Sequence, residues 1–383
     1  MKNTQITDVE AFACSVPLTA PVNMGLGQAV KREAVVVKVT TADGVIGYGE
    51  AHHIRGPAAM AALLNTTIRD LVLGMDALET VAVWERVYRN QLASHGAGTT
   101  AACALSGLDM ALWDIRGKVF GLPLYRLLGG QQRAIPAYAG GIGLGYQPPD
   151  KLVDEVAECR AAGFRAVKLR IGDEASLDVA RIRAVREAHG DELEIFTDAN
   201  TRYSLDDARR VLPALRELNV GWLEEPFPPH AEDAYARVAR WTDVPLAAGE
   251  NHYLRFEFQR LINAGAVTVL QPDVSKSGGI TEVMRIAALA ATAHLTVNPH
   301  TSVTGLNMAA VIHVIASLPN AHFFEADIAK GNQLHDVLCS TPYVLDPAGT
   351  VTPLDGPGIG VEVDEDFLRA HPLTPGAAFV PWN

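Results

Sequence analysis

Glu194-Ile195-Phe196-Thr197-Asp198, Gly221-Trp222-Leu223-Glu224 and Leu246-Ala247-Ala248-Gly249-Glu250 are three short apolar runs, each closed by an acid. The closing acids, Asp198, Glu224 and Glu250, follow one another at intervals of 26 residues. Amphipathic stretches lie between the runs, so the repeating unit reads as strand, helix, strand. Parallel strands joined by helices bring their C-terminal ends to one side. One carboxylate at each of three adjacent strand ends then converges on a point. Like charges at contact distance raise one another's pKa and oppose joint ionisation. A hard divalent cation with oxygen ligands resolves that conflict, and Mg²⁺ is the first expectation.

The alternation extends in both directions. Ile135–Ala139, Ala166–Leu169, Ala266–Leu270, Leu295–Asn298 and Phe323–Glu325 bring the count to eight apolar runs, at intervals of roughly 20 to 30 residues. Helix signals fill the gaps. Leu152, Val153, Val156 and Ala157 form one face, stopped at Gly163; Ser204 and Asp207 make a capping box; Pro213 is expected to kink its helix. Eight such units predict an α/β chain with a (β/α) barrel over 131–340, its site at the C-terminal strand ends. Residues 1–130 read differently, as an α+β domain. Ile6–Val16 and Glu33–Val39 alternate like strands, and Asp43-Gly44 turns the chain into Val45–Glu50. A helical stripe of Ala102, Leu105, Leu108, Ala111, Leu112 and Ile115 runs within Thr99–Leu128, and Gly129-Gly130 closes the region. The tail, 341–383, is rich in Pro and Gly and is expected to pack back on the first domain.

The chain has 383 residues, 48% hydrophobic and 20% charged, with a formal net charge of -12. That acidity argues against nucleic acid as a partner but not against a small carboxylate, because local cations and a metal dominate a pocket. No apolar run reaches the roughly 18 residues of a membrane helix. Met1-Lys2-Asn3-Thr4-Gln5 lacks the apolar core of a signal peptide. Cys14, Cys103, Cys159 and Cys339 are scattered, with no Cys-x-x-Cys, which argues against a soft-metal or disulfide framework. A cytoplasmic enzyme is the expectation.

Every strand end from the second to the eighth carries an ionisable group. The first leads into Gly140-Gly141, where backbone can approach a ligand. The second carries Lys168 and Arg170, two apart and so on one face. The third carries Asp198 and then Asn200. Glu224 and Glu250 follow, then Asp273, His300 and Glu325. A single acid after a strand is usually a surface residue or a helix cap; acids on three adjacent strands are better explained by a cation. A lone His is usually structural, but Asp273 on the neighbouring strand can hold the tautomer of His300 and stabilise its protonated form, as a general base requires. Lys168, inward among carboxylates, suits a role in the site. His52, His53 and Arg55 follow a strand of the first domain and are either a solvated loop or a cap over the pocket. Val22, Met24 and Leu26 are candidates for a second capping loop.

Taken together, these residues resemble the enolase superfamily in its mandelate racemase-like branch, the mandelate racemase/muconate lactonizing enzyme family. Ala104-Leu105-Ser106-Gly107-Leu108-Asp109-Met110-Ala111-Leu112-Trp113-Asp114 is similar to the branch's first-domain signature, and Leu127-Leu128-Gly129-Gly130 to its exit. The resemblance implies a modified (β/α)₇β TIM-like barrel with an N-terminal α+β capping domain. It implies Mg²⁺ on Asp198, Glu224 and Glu250, an Asp273–His300 dyad, and Glu325 as the acid that hydrogen-bonds a developing enolate. Lys168 stands for the first lysine of the family's Lys-x-Lys pair. A homo-oligomer, dimer or octamer, is also implied.

Two positions narrow the chemistry. Arg170 replaces the second lysine. A neutral lysine at pH 7 costs roughly 4 to 5 kcal/mol before tuning and a neutral arginine roughly 8 to 9, so Arg170 is a clamp for a carboxylate and not a base. Asp273 stands where cycloisomerases of the muconate type and dipeptide epimerases carry a lysine, and Lys276, three residues on, does not fill that place. One base, His300, favours proton abstraction α to a carboxylate followed by syn β-elimination, the dehydration of a sugar acid or related α-hydroxy acid. Lys168 and Arg170 would hold the carboxylate and Asn200 the α-hydroxyl, with His53 and Arg55 as further substrate-binding candidates from the cap. A racemase, epimerase or lactone cycloisomerase is the alternative; a barrel that binds without catalysis is a third reading.

Overall fold

A computed structural model describes residues 3–96 and 98–381; the reading of Met1-Lys2 lies outside them. Strands β1 (Ile6–Met24), β2 (Gly27–Thr41) and β3 (Ile46–Ala51) form an antiparallel sheet with β2 between its neighbours. The β2–β3 turn falls at Asp43-Gly44, as the sequence suggests. The first hairpin is longer than the alternation indicates, because β1 slips register between Pro17 and Val22 and then pairs again as far as Met24 opposite Gly27. Val22 and Met24 therefore belong to a strand and not to a loop.

The long helix is Thr99–Phe120 and stops eight residues before Leu128. Gly121, at φ 67°, caps it in the left-handed conformation, and Leu124–Leu127 follows Pro123 as a separate turn of helix. This helix lies backbone to backbone on β3. A Cβ on Gly47 would stand 2.2 Å from the Ala111 carbonyl oxygen, and one on Gly49 2.2 Å from that of Gly107.

Eight parallel strands follow: β4 (Ile135–Gly140), β5 (Ala166–Arg170), β6 (Glu194–Asp198), β7 (Val220–Glu224), β8 (Leu246–Ala248), β9 (Val269–Leu270), β10 (Thr296–Val297) and β11 (Phe324–Asp327). They are joined by seven helices, Pro149–Ala161, Ala175–His189, Leu205–Glu217, Glu232–Val238, Leu254–Asn263, Gly279–Thr292 and Gly305–Ser317. This is the (β/α)₇β order. The ladder runs β10-β9-β8-β7-β6-β5-β4-β11, and Thr301 Oγ1, donating to the Glu325 carbonyl at 2.9 Å, spans the seam. The Ser204–Asp207 capping box is present, and its helix continues through Pro213. Tyr138, Phe196, Trp222 and Phe323 plug the barrel, with Phe196 and Trp222 stacked at 3.5 Å.

The two sheets are locked by polar contacts from the long helix and from Trp84 on the helix Thr80–Val87. Buried Asp109 accepts from the Thr281 N–H at 2.9 Å and its hydroxyl at 2.6 Å, at the start of Gly279–Thr292, where a helix end favours negative charge. Ser106 accepts from Gly278 N–H at 2.8 Å, and Trp84 Nε1 donates to the Gly278 carbonyl at 2.8 Å. The tail touches both sheets. Thr350–Val351 pairs with β4 and Phe379–Val380 with β2. Among the described residues no helix is long and apolar enough to cross a membrane.

Gly49→Ala forces a methyl into a backbone carbonyl that cannot yield. The expected cost is about 1–3 kcal/mol, read as a lower urea midpoint with unchanged slope.

Candidate active site

The register places the acids in one row. Arg170 pairs with Asp198 and Asp198 with Glu224 at the C-terminal ends of β5, β6 and β7. At the base of this row Lys168 is fully buried. Its Nζ lies 2.8 Å from Glu325, 2.9 Å from Glu224 and 3.6 Å from Asp198. Burial alone would lower its pKa, but Glu224 and Glu325 outweigh burial and raise it well above the usual lysine value. Lys168 is thus a fixed cation. Arg170 donates to Asp198, to the Gly141 carbonyl and, at 3.1 Å, to Asn200 Oδ1. Its pKa is also raised: burial opposes the charge, but Asp198, Glu325, Glu224 and Glu250 together outweigh it. Neither residue is a base.

Asp273 and His300 are brought together as predicted. His300 Nδ1 donates to Asp273 Oδ2 at 2.7 Å. The same carboxylate accepts from Ser302 Oγ at 2.6 Å, from Ser275 N–H and Oγ at 2.7 Å each, and from Asn307 Nδ2 at 3.3 Å. Burial pushes its pKa up, yet His300 and these donors bring it below the usual Asp value. His300 Nε2 meets Glu250 Oε2 at 2.7 Å. Burial would lower the pKa of the imidazole, but Glu250 and the hydrogen bond to Asp273 together raise it to about 10. In this arrangement the ring is therefore held as imidazolium between Glu250 and Asp273, and it keeps Nδ1–H on Asp273 when Nε2 gives up its proton. Lys276 is buried 3.7 Å from the same Glu250 oxygen. Glu325 is brought down to about 2 despite burial, chiefly by Lys168, and accepts from the Gly141 N–H at 3.1 Å. In this arrangement it is a carboxylate.

A cavity of about 170 Å³ opens above these groups. Arg170, Asn200, Glu250 and His300 line it, whereas Lys168, Asp198, Glu224 and Asp273 lie behind its wall. His53 and Arg55 line the cap side, as do Met24 and Leu26 of the first hairpin. Val22 instead faces a larger groove of about 360 Å³, lined by neither Asp273 nor His300. His52 Nδ1 accepts from the Ile54 N–H and His53 Nδ1 from the Arg55 N–H, both at 3.1 Å. Their ring hydrogens are therefore on Nε2, and burial lowers both pKa values, that of His53 to about 3. They are neutral donors.

Sequence reasoning missed several members. Glu50, buried at the end of β3, accepts from the Thr304 N–H at 3.1 Å and from its hydroxyl, and so ties the cap to the loop that carries His300 and Ser302. Burial raises its pKa to about 7. Nothing local in the sequence marks it, and the same holds for Arg32 and Phe379 on the cap side of the cavity.

Asp198, Glu224 and Glu250 stand at adjacent strand ends but are not gathered into a cage. Among the described residues no three Asp, Glu, His or Cys side chains surround a common point suited to an ion. Each leans on a protein cation instead. The local chemistry nonetheless fits a divalent ion. Six buried carboxyl groups (Asp198, Glu224, Glu225, Glu250, Asp273 and Glu325) face three permanent cations (Lys168, Arg170 and Lys276). Burial holds Glu224 up at about 7 in spite of Lys168, and Glu225 Oε1 is buried with no partner. Hard oxygen donors with surplus negative charge suit Mg²⁺.

Comparison with known proteins follows the same lines. Residues 6–129 match the "Mandelate racemase / muconate lactonizing enzyme, N-terminal domain" profile, and 151–367 match "Enolase C-terminal domain-like". A D-galactarolactone cycloisomerase from Agrobacterium fabrum is 34% identical over 95% of this chain and 98% of its own length. An arabinonate dehydratase from Saccharolobus solfataricus is 33% identical over 88% and 90%. The solved structure of an enolase superfamily member from Polaromonas sp. JS666 superposes with a TM-score of 0.96 at 51% identity, covering 98% of this chain and 100% of that one. A racemase from Streptomyces coelicolor A3(2) with bound magnesium has a TM-score of 0.87 at 30% identity, over 96% and 100%.

Lys168→Met leaves Glu224 and Glu325 buried beside an apolar group. A loss of about 3–5 kcal/mol is expected, measured by urea unfolding at pH 7. Calorimetric titration with Mg²⁺ should show binding by the native chain, weakened at least about tenfold in Glu224→Gln through loss of an ionised ligand.

Proposed function

The chain belongs to the mandelate racemase/muconate lactonizing enzyme family of the enolase superfamily, and we propose that it is a Mg²⁺-dependent dehydratase of a sugar acid or related α-hydroxy acid. One observation carries this reading. Of the imidazoles at the cavity, only His300 has Nδ1–H on a buried carboxylate; His52 and His53 accept on Nδ1 and so present N–H, not a lone pair. With Lys168 and Arg170 held as cations, the site has one base. The relatives named arabinonate dehydratase and D-galactarolactone cycloisomerase support the sugar-acid class.

In this reading Arg170 and Asn200, both on the cavity wall, take the substrate carboxylate and the α-hydroxyl. Lys168 sits deeper, as counter-ion to the acids. Asp198, Glu224 and Glu250 would hold Mg²⁺, which would supply positive charge where the carboxylate gains its second negative charge. With Glu250 turned to the cation, Nε2 loses the partner that keeps it protonated; neutral His300 then takes the α-proton on Nε2, and the C–H electron pair moves into the carboxylate to give an enediolate. Asp273 stabilises the imidazolium so formed. The pair then returns and breaks the β C–O bond, and His300 gives its proton to the departing hydroxide, which leaves as water. The enol product tautomerises to a 2-keto-3-deoxy acid. A lactone cycloisomerase is the second reading, favoured by the cycloisomerase relative. It uses the same base, with a ring oxygen as the leaving group and no water released. A cytoplasmic homo-oligomer, dimer or octamer, completes the proposal.

His300→Asn should lower turnover about 10²- to 10⁴-fold while substrate affinity stays within a few-fold. Incubation of native protein and Mg²⁺ with a panel of sugar acids should yield 2-keto-3-deoxy products, and chelation should abolish them. An epimer formed without loss of water counts against dehydration.

A further inference from the structure

The cap side of the cavity carries donors that the chemistry above does not use. Arg32, on β2, is buried. It gives Nη2 to Asp327 at 2.9 Å, and its Nε is buried with no partner. Arg55 is exposed, lines the same cavity, and stands 4.9 Å over the ring of Phe379. His53 lies beside them as a neutral ring with its hydrogen on Nε2. The backbone under this group is strained. Ile54 and Arg55 are consecutive non-glycine residues at φ 42° and 58°. Such conformations cost roughly 1–3 kcal/mol each and persist where the surroundings over-determine them, as at ligand clamps.

The reacting end needs one carboxylate, which Arg170 and Asn200 accommodate. A monocarboxylic acid would leave the unpartnered Nε of Arg32 and the Arg55 guanidinium at the far end facing a hydroxyl. Guanidinium forks match carboxylates, and a buried N–H without an acceptor is costly. We propose that Arg32 and Arg55, with His53, form a second anion subsite, and that the substrate is a dicarboxylic sugar acid, an aldarate or its monolactone, in preference to an aldonate. This inference rests on the reading of the reacting end given above.

Calorimetry on His300→Asn protein with Mg²⁺ tests it independently of turnover. The probes are galactarate, glucarate and mannarate against the matching hexonates, with native protein assayed on the same acids. At least one hexarate should bind about tenfold or more tighter than its hexonate, and adding Arg55→Ala should cut that ratio about tenfold. Equal binding, or a ratio that Arg55→Ala leaves unchanged, overturns the subsite; water release from hexonates by native protein would then still uphold the dehydratase reading. Selective hexarate binding with no product from any acid upholds the subsite and overturns that reading. Binding of none of the six acids overturns both.

Discussion

The buried ammonium of Lys168 is the constraint on which the site depends. It touches Glu224, Glu325 and Asp198, from three strands, at the centre of a barrel plugged beneath by Tyr138, Phe196 and Trp222. Carboxylates so deep would otherwise stay protonated, as the raised value of Glu224 indicates even with its partner in place. In a low-dielectric interior a paired charge is held only by good geometry, so the cation fixes where the strand ends sit. It also lowers the cost of ionising Glu224 and Glu325 and keeps the acids within reach of one another, the condition a divalent cation needs.

A second constraint is the joint between cap and barrel. Glycines at 47, 49 and 107 let helix and strand meet without side chains between them. Asp109 and Ser106 then fasten that helix to the start of a barrel helix, and Trp84, on the preceding cap helix, bonds the same point. From the same surface Glu50 reaches Thr304, close in the chain to His300. The cap therefore does two things: it roofs the cavity with Arg32, His53 and Arg55, and it holds the loop on which the base is mounted. The signature from Ala104 to Asp114 owes its residue types to this joint, not to contact with a ligand.

The acid–base pair shows how strand order becomes chemistry. Asp273 and His300 leave adjacent strands, so their backbones pair and their side chains meet. Ser275, Ser302 and Asn307 saturate the aspartate, which keeps it ionised and its imidazole oriented. In the present arrangement Glu250 occupies the other nitrogen. The ion that Glu250 is suited to bind and the proton that His300 is suited to move are thus linked through one hydrogen bond.

Periodicity alone disclosed the eight runs, the acids that close them and the Asp273–His300 pairing, because a repeated strand-helix unit repeats its geometry: a residue at the end of each strand returns to the same rim. Local chemistry likewise exposed the Ser204 cap and the turn at Asp43-Gly44. The length of the first hairpin and the break of the long helix at Gly121 were harder to read, since a register slip and a left-handed glycine leave the apolar pattern almost unchanged. The remaining features came only from the folded chain. That Lys168 lies behind the cavity wall, that Glu50 binds Thr304, and that Arg32 and Phe379 face the same space as Arg55 are relations between residues hundreds of positions apart. Sequence reports what each segment can become; which segments end up sharing a boundary is set by packing the whole chain around one interior, and no local pattern encodes it.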